Sequence, residues 1–388
     1  MSVKENAAIV GIGATEFSKD SGRSEWRLAV EAVAAALKDG GVDPGDVDGM
    51  VTIATDNTDE IDVAKSLGTG DLRFFSRIPY GGGGGCGAVM QAALAVAAGV
   101  ANVVVCYRAV NGRSGQRFGR PRVVPMNVSS QSVSSSWYSP FGLVTPAARA
   151  AVRACRYMHE VGVTSEDFGR IAVNGRKYAA TNPAAWFYER PISLADHQES
   201  RLIADPLRLL DCCQESDGGV AMVITTVQRA RHLRQPVVIV RAAAQAATWD
   251  QDVMTNYNRS SIGHLPEVGL LARQLWEMAE VGPRDVDVAN IYDHFTPFVL
   301  MQLEELGFCA RGEAAGFVQS GALELDGALP LNTNGGQLGE AYVHGFNGIA
   351  EAIRQVRGTA VNQVASVEVA LVTSGSAIPT SGLVLGKE

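Results

Sequence analysis

The chain has 388 residues, 46% of them apolar and 19% charged, with a formal net charge of −8. That length exceeds one ordinary core and implies roughly two or three domain-sized units, and the composition excludes a disordered chain. The acidic balance argues against nonspecific nucleic-acid binding, which rests on phosphate neutralisation.

No charged n-region followed by an apolar h-region opens the sequence, so no secretion signal is expected. The longest apolar stretch, 88–105, is interrupted by Gly99 and Asn102, so no membrane span is expected either. Cys86, Cys106, Cys155, Cys212, Cys213 and Cys309 form no CxxC pair. Their scatter predicts no metal site and no disulfide framework, and a reduced, cytoplasmic setting.

In chain order, short apolar runs alternate with amphipathic stretches. Strands are predicted at 7–13, 48–54, 102–108, 220–226, 236–242, 288–293 and 367–374. Helices are predicted at 27–39, 87–98, 268–280 and 348–357. This alternation points to α/β layers with largely buried sheets. A repeat sharpens it: VDPGDVD at 42–48 recurs as VGPRDVD at 281–287, each time after a helix and before a strand. In both copies the Pro and first Asp read as a helix-start signal. Two matching units so far apart imply two large similar halves rather than a solenoid.

The segment 110–215 differs. NGRSGQRFGRPR (111–122) is basic and glycine-punctuated, and SSQSVSSSWYSP (129–140) is serine-rich. Helices follow at 145–161 and 165–181, the second with Ser165 as its predicted N-cap and Asp167 in its first turn. We read 110–215 as a loop or lid domain inserted into an N-terminal half made of 1–109 and 216–232, with a C-terminal half at 233–388. Long connections of this kind carry substrate contacts or serve as dimer-packing arms.

Two loops are candidates for chemistry. YGGGGGCG (80–87) opens a helix, and glycines there let backbone approach a ligand closely. The N–H groups of Gly82, Gly83, Gly84 and Gly85 are candidate donors to an oxyanion. No lysine follows, so it is not a nucleotide-binding P-loop. NTNGGQLGEAYVHG (332–345) also precedes a helix, and NIYDHF (290–295) ends a strand. Tyr292 and His294 are two apart, as are Tyr342 and His344, so each pair shares a side if locally extended. Taken singly, a strand-end tyrosine, a loop histidine and a glycine-rich turn are ordinarily structural.

As a set, these segments resemble the thiolase superfamily, and within it the sterol carrier protein x or lipid-transfer branch, over almost the whole chain. NTNGG at 332–336 looks like that branch's N-P-S-G-G, and 341–343 then falls on the G-H-P that carries the thiolase histidine. Residues 292–295 fall on H-D-x-F, and DGGVA at 217–221 on the D-G-A-A strand. The resemblance implies two duplicated βαβαβαββ halves in an α-β-α-β-α layered core, and a dimer or tetramer.

The departures from the pattern bear on function. Gly82 falls where thiolases carry the nucleophilic Cys of C-x-[ST]-G, and Cys86 lies about one turn further on with the wrong flanking residues. No Cys follows Cys309, so the second thiolase cysteine near 373–376 is missing. Both family histidines are replaced, by Tyr292 and Tyr342. This pattern is similar to thiolase-like aldolases of bacterial steroid side-chain degradation, which pair with an OB-fold and zinc-ribbon (DUF35) protein. The resemblance implies retro-aldol cleavage of a β-hydroxyacyl-CoA to a ketone and propionyl-CoA. It implies coenzyme A as part of the substrate and no other cofactor. Tyr292 and Tyr342 are the implied acid and base, on opposite sides of the reacting bond. His294 and His344 are the implied source of the positive charge or relay a phenol needs. Arg108, Arg113, Arg117, Arg120 and Arg122 are candidate partners for CoA phosphates, against the alternative of a solvated loop. Two rival readings stay open: a Cys86-dependent thiolase or acyltransferase, and a non-catalytic acyl-CoA or lipid carrier.

Overall fold

The computed structural model describes residues 6–115, 117, 119–120, 130–254 and 259–388. Of the expectations above, Arg122 lies outside the described residues, as do parts of the basic and serine-rich stretches. The first half runs β1 (Ala7–Ala14), α1 (Glu25–Gly40), β2 (Gly49–Ile53), α2 (Glu60–Leu67), β3 (Phe74–Ile78), α3 (Gly85–Ala97) and β4 (Val103–Asn111). Between β4 and β7 come α4 (Ser130–Ser136), α5 (Pro146–Val161), α6 (Ser165–Thr181) and α7 (Leu194–Glu199), with a small hairpin of β5 (Leu202–Ala204) and β6 (Leu207–Arg208). β7 (Asp217–Thr226) and α8 (Val227–Ala230) complete the half. The second half runs β8 (Val238–Ala246), α9 (Pro266–Ala279), β9 (Val288–Asn290), α10 (Thr296–Glu305), α11 (Ala314–Gln319), α12 (Gly336–Gly339), α13 (Phe346–Arg357), β10 (Val369–Ser374) and β11 (Thr380–Lys387).

The duplication is visible in strand order. Nine strands run β3-β2-β4-β7-β1-β8-β11-β10-β9. In the first half β1–β7 and β7–β4 are antiparallel and β4–β2 parallel. In the second, β8–β11 and β11–β10 are antiparallel and β10–β9 parallel. The halves therefore read outward from β1 and β8 in the same order and sense. They meet where Ala8 pairs with Ile239 and Ile9 with Val238. The counterpart of β3 is reduced to one parallel bridge, Ala289 to Leu331.

Strand pleating explains the continuous apolar runs, because alternate residues enter different cores. Ile9, Val104, Cys106, Met222 and Ile224 pack inward with α3 and α13, while Ala8, Val103, Val105, Ala221 and Val223 pack outward with α1. Val372 and Leu383 likewise face inward, and Leu371 and Val384 face outward toward α9. Helices α3 and α13 lie between the two half-sheets and touch strands of both. The layers are therefore α-β-α-β-α, the thiolase-like architecture.

The repeated heptapeptides adopt one structure. Each forms a single 3-10 turn, Pro44–Asp46 or Pro283–Asp285, rather than a longer helix. The Asp after each turn caps the next parallel strand. Asp48 accepts from the Asn102 and Val103 N–H groups at 2.8 and 2.9 Å. Asp287 accepts from Glu368 and Val369, both at 2.8 Å. The predicted N-cap of α6 moves by one residue: Thr164 closes a capping box with Asp167, because Ser165 is already helical. β3 and β11 were not foreseen. Exposed residues interrupt β3, and Gly382 and Gly386 lie within β11. Among the described residues no helix is long and apolar enough to cross a membrane.

If these turns hold the parallel strands in register, Asp48→Ala should cost about 2–3 kcal/mol through its charge-assisted bonds. Asp287→Ala, with fewer bonds, should cost less. Thermal denaturation of both variants reads this, and an unchanged Tm for Asp48→Ala would remove the turn from the list of structural supports.

Candidate active site

Each half contributes one face of a buried polar site at the junction. Tyr292 follows the short strand β9, and its N–H donates to Thr373 Oγ1 at 3.0 Å. Its carbonyl accepts from Gln302 Nε2 at 2.8 Å, and Thr373 donates to Gln302 Oε1 at 2.9 Å. Tyr342 sits on the loop before α13, its N–H donating to Ser216 Oγ at 3.1 Å. The two phenol oxygens meet at 3.0 Å. The expectation that they flank a reacting bond from opposite sides is therefore corrected: strand β9 and the 332–345 loop are side by side, so the hydroxyls form one hydrogen-bonded pair.

The two sequence motifs interlock. Asn332, at a left-handed φ of 53°, accepts from the Ile291 N–H at 2.8 Å and donates to the Ile291 carbonyl at 3.0 Å. Asp293 accepts from the Gln337 and Leu338 N–H groups at 2.8 and 3.3 Å. Burial raises the Asp293 carboxyl to about 6, against those hydrogen bonds. A Cβ at Gly336 would lie 2.1 Å from Asp293 Oδ2, so the glycine lets the loop close on the carboxylate.

Each histidine lies beside its tyrosine, with ring centroids at 4.8 Å for Tyr292–His294 and 4.9 Å for Tyr342–His344. The Tyr342–His344 segment is not extended, since His344 has a φ of 53°. Neither imidazole carries charge. Burial lowers His294 to about 3. Burial and the Arg108 guanidinium hold His344 well below its ordinary value. The positive-charge version of their help is therefore unavailable, and hydrogen bonding or packing remains. Both phenols are held neutral: burial, then the neighbouring Tyr342, raises Tyr292, and burial raises Tyr342 against the pull of Arg108.

Arg108 is the charge that sequence reading misplaced. It is buried at 1% exposure rather than offered to a phosphate. It pairs with Asp56 at 2.9 Å and donates from Nε to His344 Nδ1 at 3.2 Å. Asp56 is also satisfied by the Ala109 N–H at 2.9 Å and the Thr58 hydroxyl at 2.6 Å. A long basic side chain in an apolar strand gives no local sign that its partner lies across the fold. Of the other arginines, Arg117 pairs with Glu215 at 2.5 Å, and Arg113 and Arg120 are exposed.

The glycine loop forms a 3-10 turn, Gly81–Gly84, that runs into α3. Gly83 leaves the set of free donors, because its N–H bonds the Tyr80 carbonyl at 2.8 Å. Its close packing has another cause: a Cβ there would lie 1.9 Å from the Pro379 carbonyl oxygen. At Gly82 a Cβ would lie 2.0 Å from the Tyr292 hydroxyl. The phenol therefore fills the space where a side chain at position 82 would begin. Cys86 faces elsewhere. Its thiol lies 3.2 Å from Ser374 Oγ, it is fully buried, and burial pushes it up to about 12. A thiol held neutral and walled in is a poor nucleophile.

A thiolase C-terminal domain-like profile matches residues 255–385. A steroid side-chain-cleaving aldolase of Thermomonospora curvata is 59% identical, over 98% of this chain and 98% of its own. A 17-hydroxy-3-oxo-4-pregnene-20-carboxyl-CoA lyase of Mycobacterium tuberculosis is 58% identical, over 98% of this chain and 99% of its own. The solved Ltp2-ChsH2(DUF35) aldolase superposes with a TM-score of 0.96 at 58% identity, covering 100% of this chain and 99% of that one. Human mitochondrial 3-ketoacyl-CoA thiolase shares the fold, at a TM-score of 0.70 and 15% identity over 100% of this chain and 99% of its own.

The contact at Gly82 predicts a coupling. Gly82→Ala should destabilise the protein by about 1–3 kcal/mol through overpacking. Most of that penalty should vanish when the same change is made in a Tyr292→Ala background. A double-mutant cycle on unfolding reads it, and equal penalties in both backgrounds would show that Tyr292 does not occupy that space.

Proposed function

The chain belongs to the thiolase-like steroid side-chain-cleaving aldolases, and we propose that its two contacting tyrosines form the proton shuttle of a retro-aldol reaction. It is a carbon–carbon lyase that acts on an acyl-CoA thioester with a steroid side chain. The substrate we assign is a β-hydroxyacyl-CoA, and the products are a ketone and propionyl-CoA.

The observation that carries the mechanism is the 3.0 Å contact between two phenols that burial keeps neutral. A phenolate base would be costly there. A relay of two neutral hydroxyls is not, because no group has to be charged in the interior. One tyrosine oxygen takes the proton of the substrate β-hydroxyl and passes its own proton to the second tyrosine. As the Cα–Cβ bond breaks, its electron pair takes the proton of the second tyrosine at Cα in the same step, so the thioester oxygen gains only partial enolate charge and no phenol holds two protons. Both phenols end neutral, and no proton or electron is left over. Arg108 favours electron density at Tyr342, which supports Tyr342 as the member nearer the β-hydroxyl. His344 holds Arg108 in place, and His294 packs against Tyr292. Gly82 lies against Tyr292, and Gly82, Gly84 and Gly85 are the loop positions we assign to the enolate oxygen.

A Cys86-dependent thiolase is disfavoured by the burial of that thiol, and a bare carrier needs no matched pair of hydroxyls. The likeness to the Ltp2-ChsH2(DUF35) aldolase supports a DUF35-type partner for this chain, and we add a homodimer at the centre of the assembly. We assign residues 110–215 to a unit inserted into the N-terminal half, between β4 and β7. The free cysteines support a reducing, cytoplasmic setting.

Cleavage is followed by mass spectrometry, with the chain alone and with a DUF35-type partner, on a β-hydroxy steroid side-chain CoA thioester. Ketone and propionyl-CoA are expected without added free CoA. Tyr292→Phe and Tyr342→Phe should each lower kcat about a hundredfold or more, whereas Cys86→Ser should leave it within about twofold, since the thiol touches no reacting group. Full activity in either phenylalanine variant would sink the relay. A requirement for free CoA would return the chemistry to a thiolase.

A further inference from the structure

One buried acid stands outside the mechanism. Glu340, two residues before Tyr342, is 1% exposed. Its carboxylate collects amide donors from three separate segments. Asn182 at the end of α6 donates to Oε1 at 3.3 Å, Asn347 of α13 donates to Oε2 at 2.9 Å, and Asn334 of the loop also donates to Oε2. The backbone adds to this knot: the Glu340 carbonyl accepts from the Trp186 N–H at 3.0 Å, and its N–H donates to Gly336 at 3.0 Å.

The loop needs such a fastening. Asn332, Gly335, Gly336, His344 and Gly345 all have positive φ, so regular backbone bonding in residues 332–345 is confined to the single turn of α12. Tyr342 is then placed by what its neighbours grip. We propose that Glu340 is the positioning residue that fixes Tyr342 and fastens the segment between β4 and β7 to the site; this rests on the catalytic reading of Tyr342 above.

The charge state of Glu340 gives the test its sign. Burial raises the carboxyl to about 7. From α13, Arg354 favours the ionised form and Glu351 opposes it, while α6 and the loop present the neutral amides of Asn182 and Asn334. All three side-chain partners are N–H donors, so the carboxylate is the form they organise. Protonation would set a hydroxyl against a donor. Activity should therefore rise with pH through about 7. Stability should do the reverse: a carboxyl raised by folding binds its proton more tightly in the folded state, so its contribution is lost as pH rises from the ordinary carboxylate range through about 7. A scaffold residue without a positioning role would move both in the same direction.

The experiment compares the wild type with Glu340→Gln, Asn182→Ala and Tyr342→Phe in the intact chain. It measures kcat and KM for CoA-thioester cleavage from pH 5.5 to 8.5, thermal stability over the same range, and amide exchange of residues 182–190 and 332–347. Glu340→Gln should lower kcat about tenfold or more, since a misplacement near 1 Å costs on the order of a hundredfold. KM should change less than about twofold, the acid limb should disappear, and exchange in both segments should quicken. Asn182→Ala should quicken exchange at 182–190 even if Glu340→Gln does not fold. Unchanged kcat, a persisting acid limb or unchanged exchange in Glu340→Gln overturns the proposal. An active Tyr342→Phe with unchanged exchange at 182–190 instead fells the catalytic reading, and the two failures are thereby told apart.

Discussion

The site turns on a phenol backed against an α-carbon. The Tyr292 hydroxyl occupies the position that any side chain at Gly82 would take, at 2.0 Å from a Cβ built there. Two consequences follow from that exclusion. No nucleophilic side chain can share the site with Tyr292 unless the ring moves. The hydroxyl is also directed onto Tyr342, 3.0 Å away. A chain that keeps the thiolase fold thus exchanges a side chain on a helix start for one on a strand end.

The duplicated architecture makes this exchange possible. α3 begins at the glycine turn in the first half, and α13 begins after Tyr342 in the second. Both helices are sandwiched between the half-sheets, so their N-terminal ends converge. Strand β9, with its single-bridge neighbour at Leu331, then brings the Tyr292 segment alongside the Asn332 loop. The buried Arg108–Asp56 pair crosses from β4 to His344 and supplies a positive charge that acts on Tyr342. An unpartnered buried charge would be costly. This one is paired with a carboxylate that is itself fully hydrogen-bonded, which lets a cation sit in the interior beside neutral imidazoles.

The same loop shows how a site becomes dependent on a distant segment. Asn182 and Trp186, which follow α6, hold the chain around Glu340, and Glu340 leads directly into Tyr342. The loop has few regular hydrogen bonds of its own, so its geometry depends on that attachment. The inserted segment and the loop meet through that carboxylate and through the packing of α6 on the loop, where Gly335 and Gly339 approach Ala179.

The sequence by itself determined the layered fold, the duplication and the positions of both tyrosine motifs. These are carried by local signals: continuous apolar runs buried on both faces, a recurring Pro-Asp turn, and glycine-rich loops before helices. It also determined that no cysteine occupies the nucleophile position at Gly82. The strands β3 and β11 escaped because exposed residues break up one and glycines interrupt the other. Only the tertiary structure decided that the two phenols touch, that both histidines are neutral, that Arg108 faces inward, and that Glu340 gathers three amides. The decisive partners lie far apart in sequence, 50 residues for the tyrosine pair, 158 for Asn182 and Glu340 and 236 for Arg108 and His344. The physical reason is that contact and desolvation are set by which surfaces the half-sheets bury against each other. A residue's neighbours along the chain record its tendency to be buried. They do not record how completely the fold takes it out of water or what it then touches, and here burial first and the partner second set the protonation states.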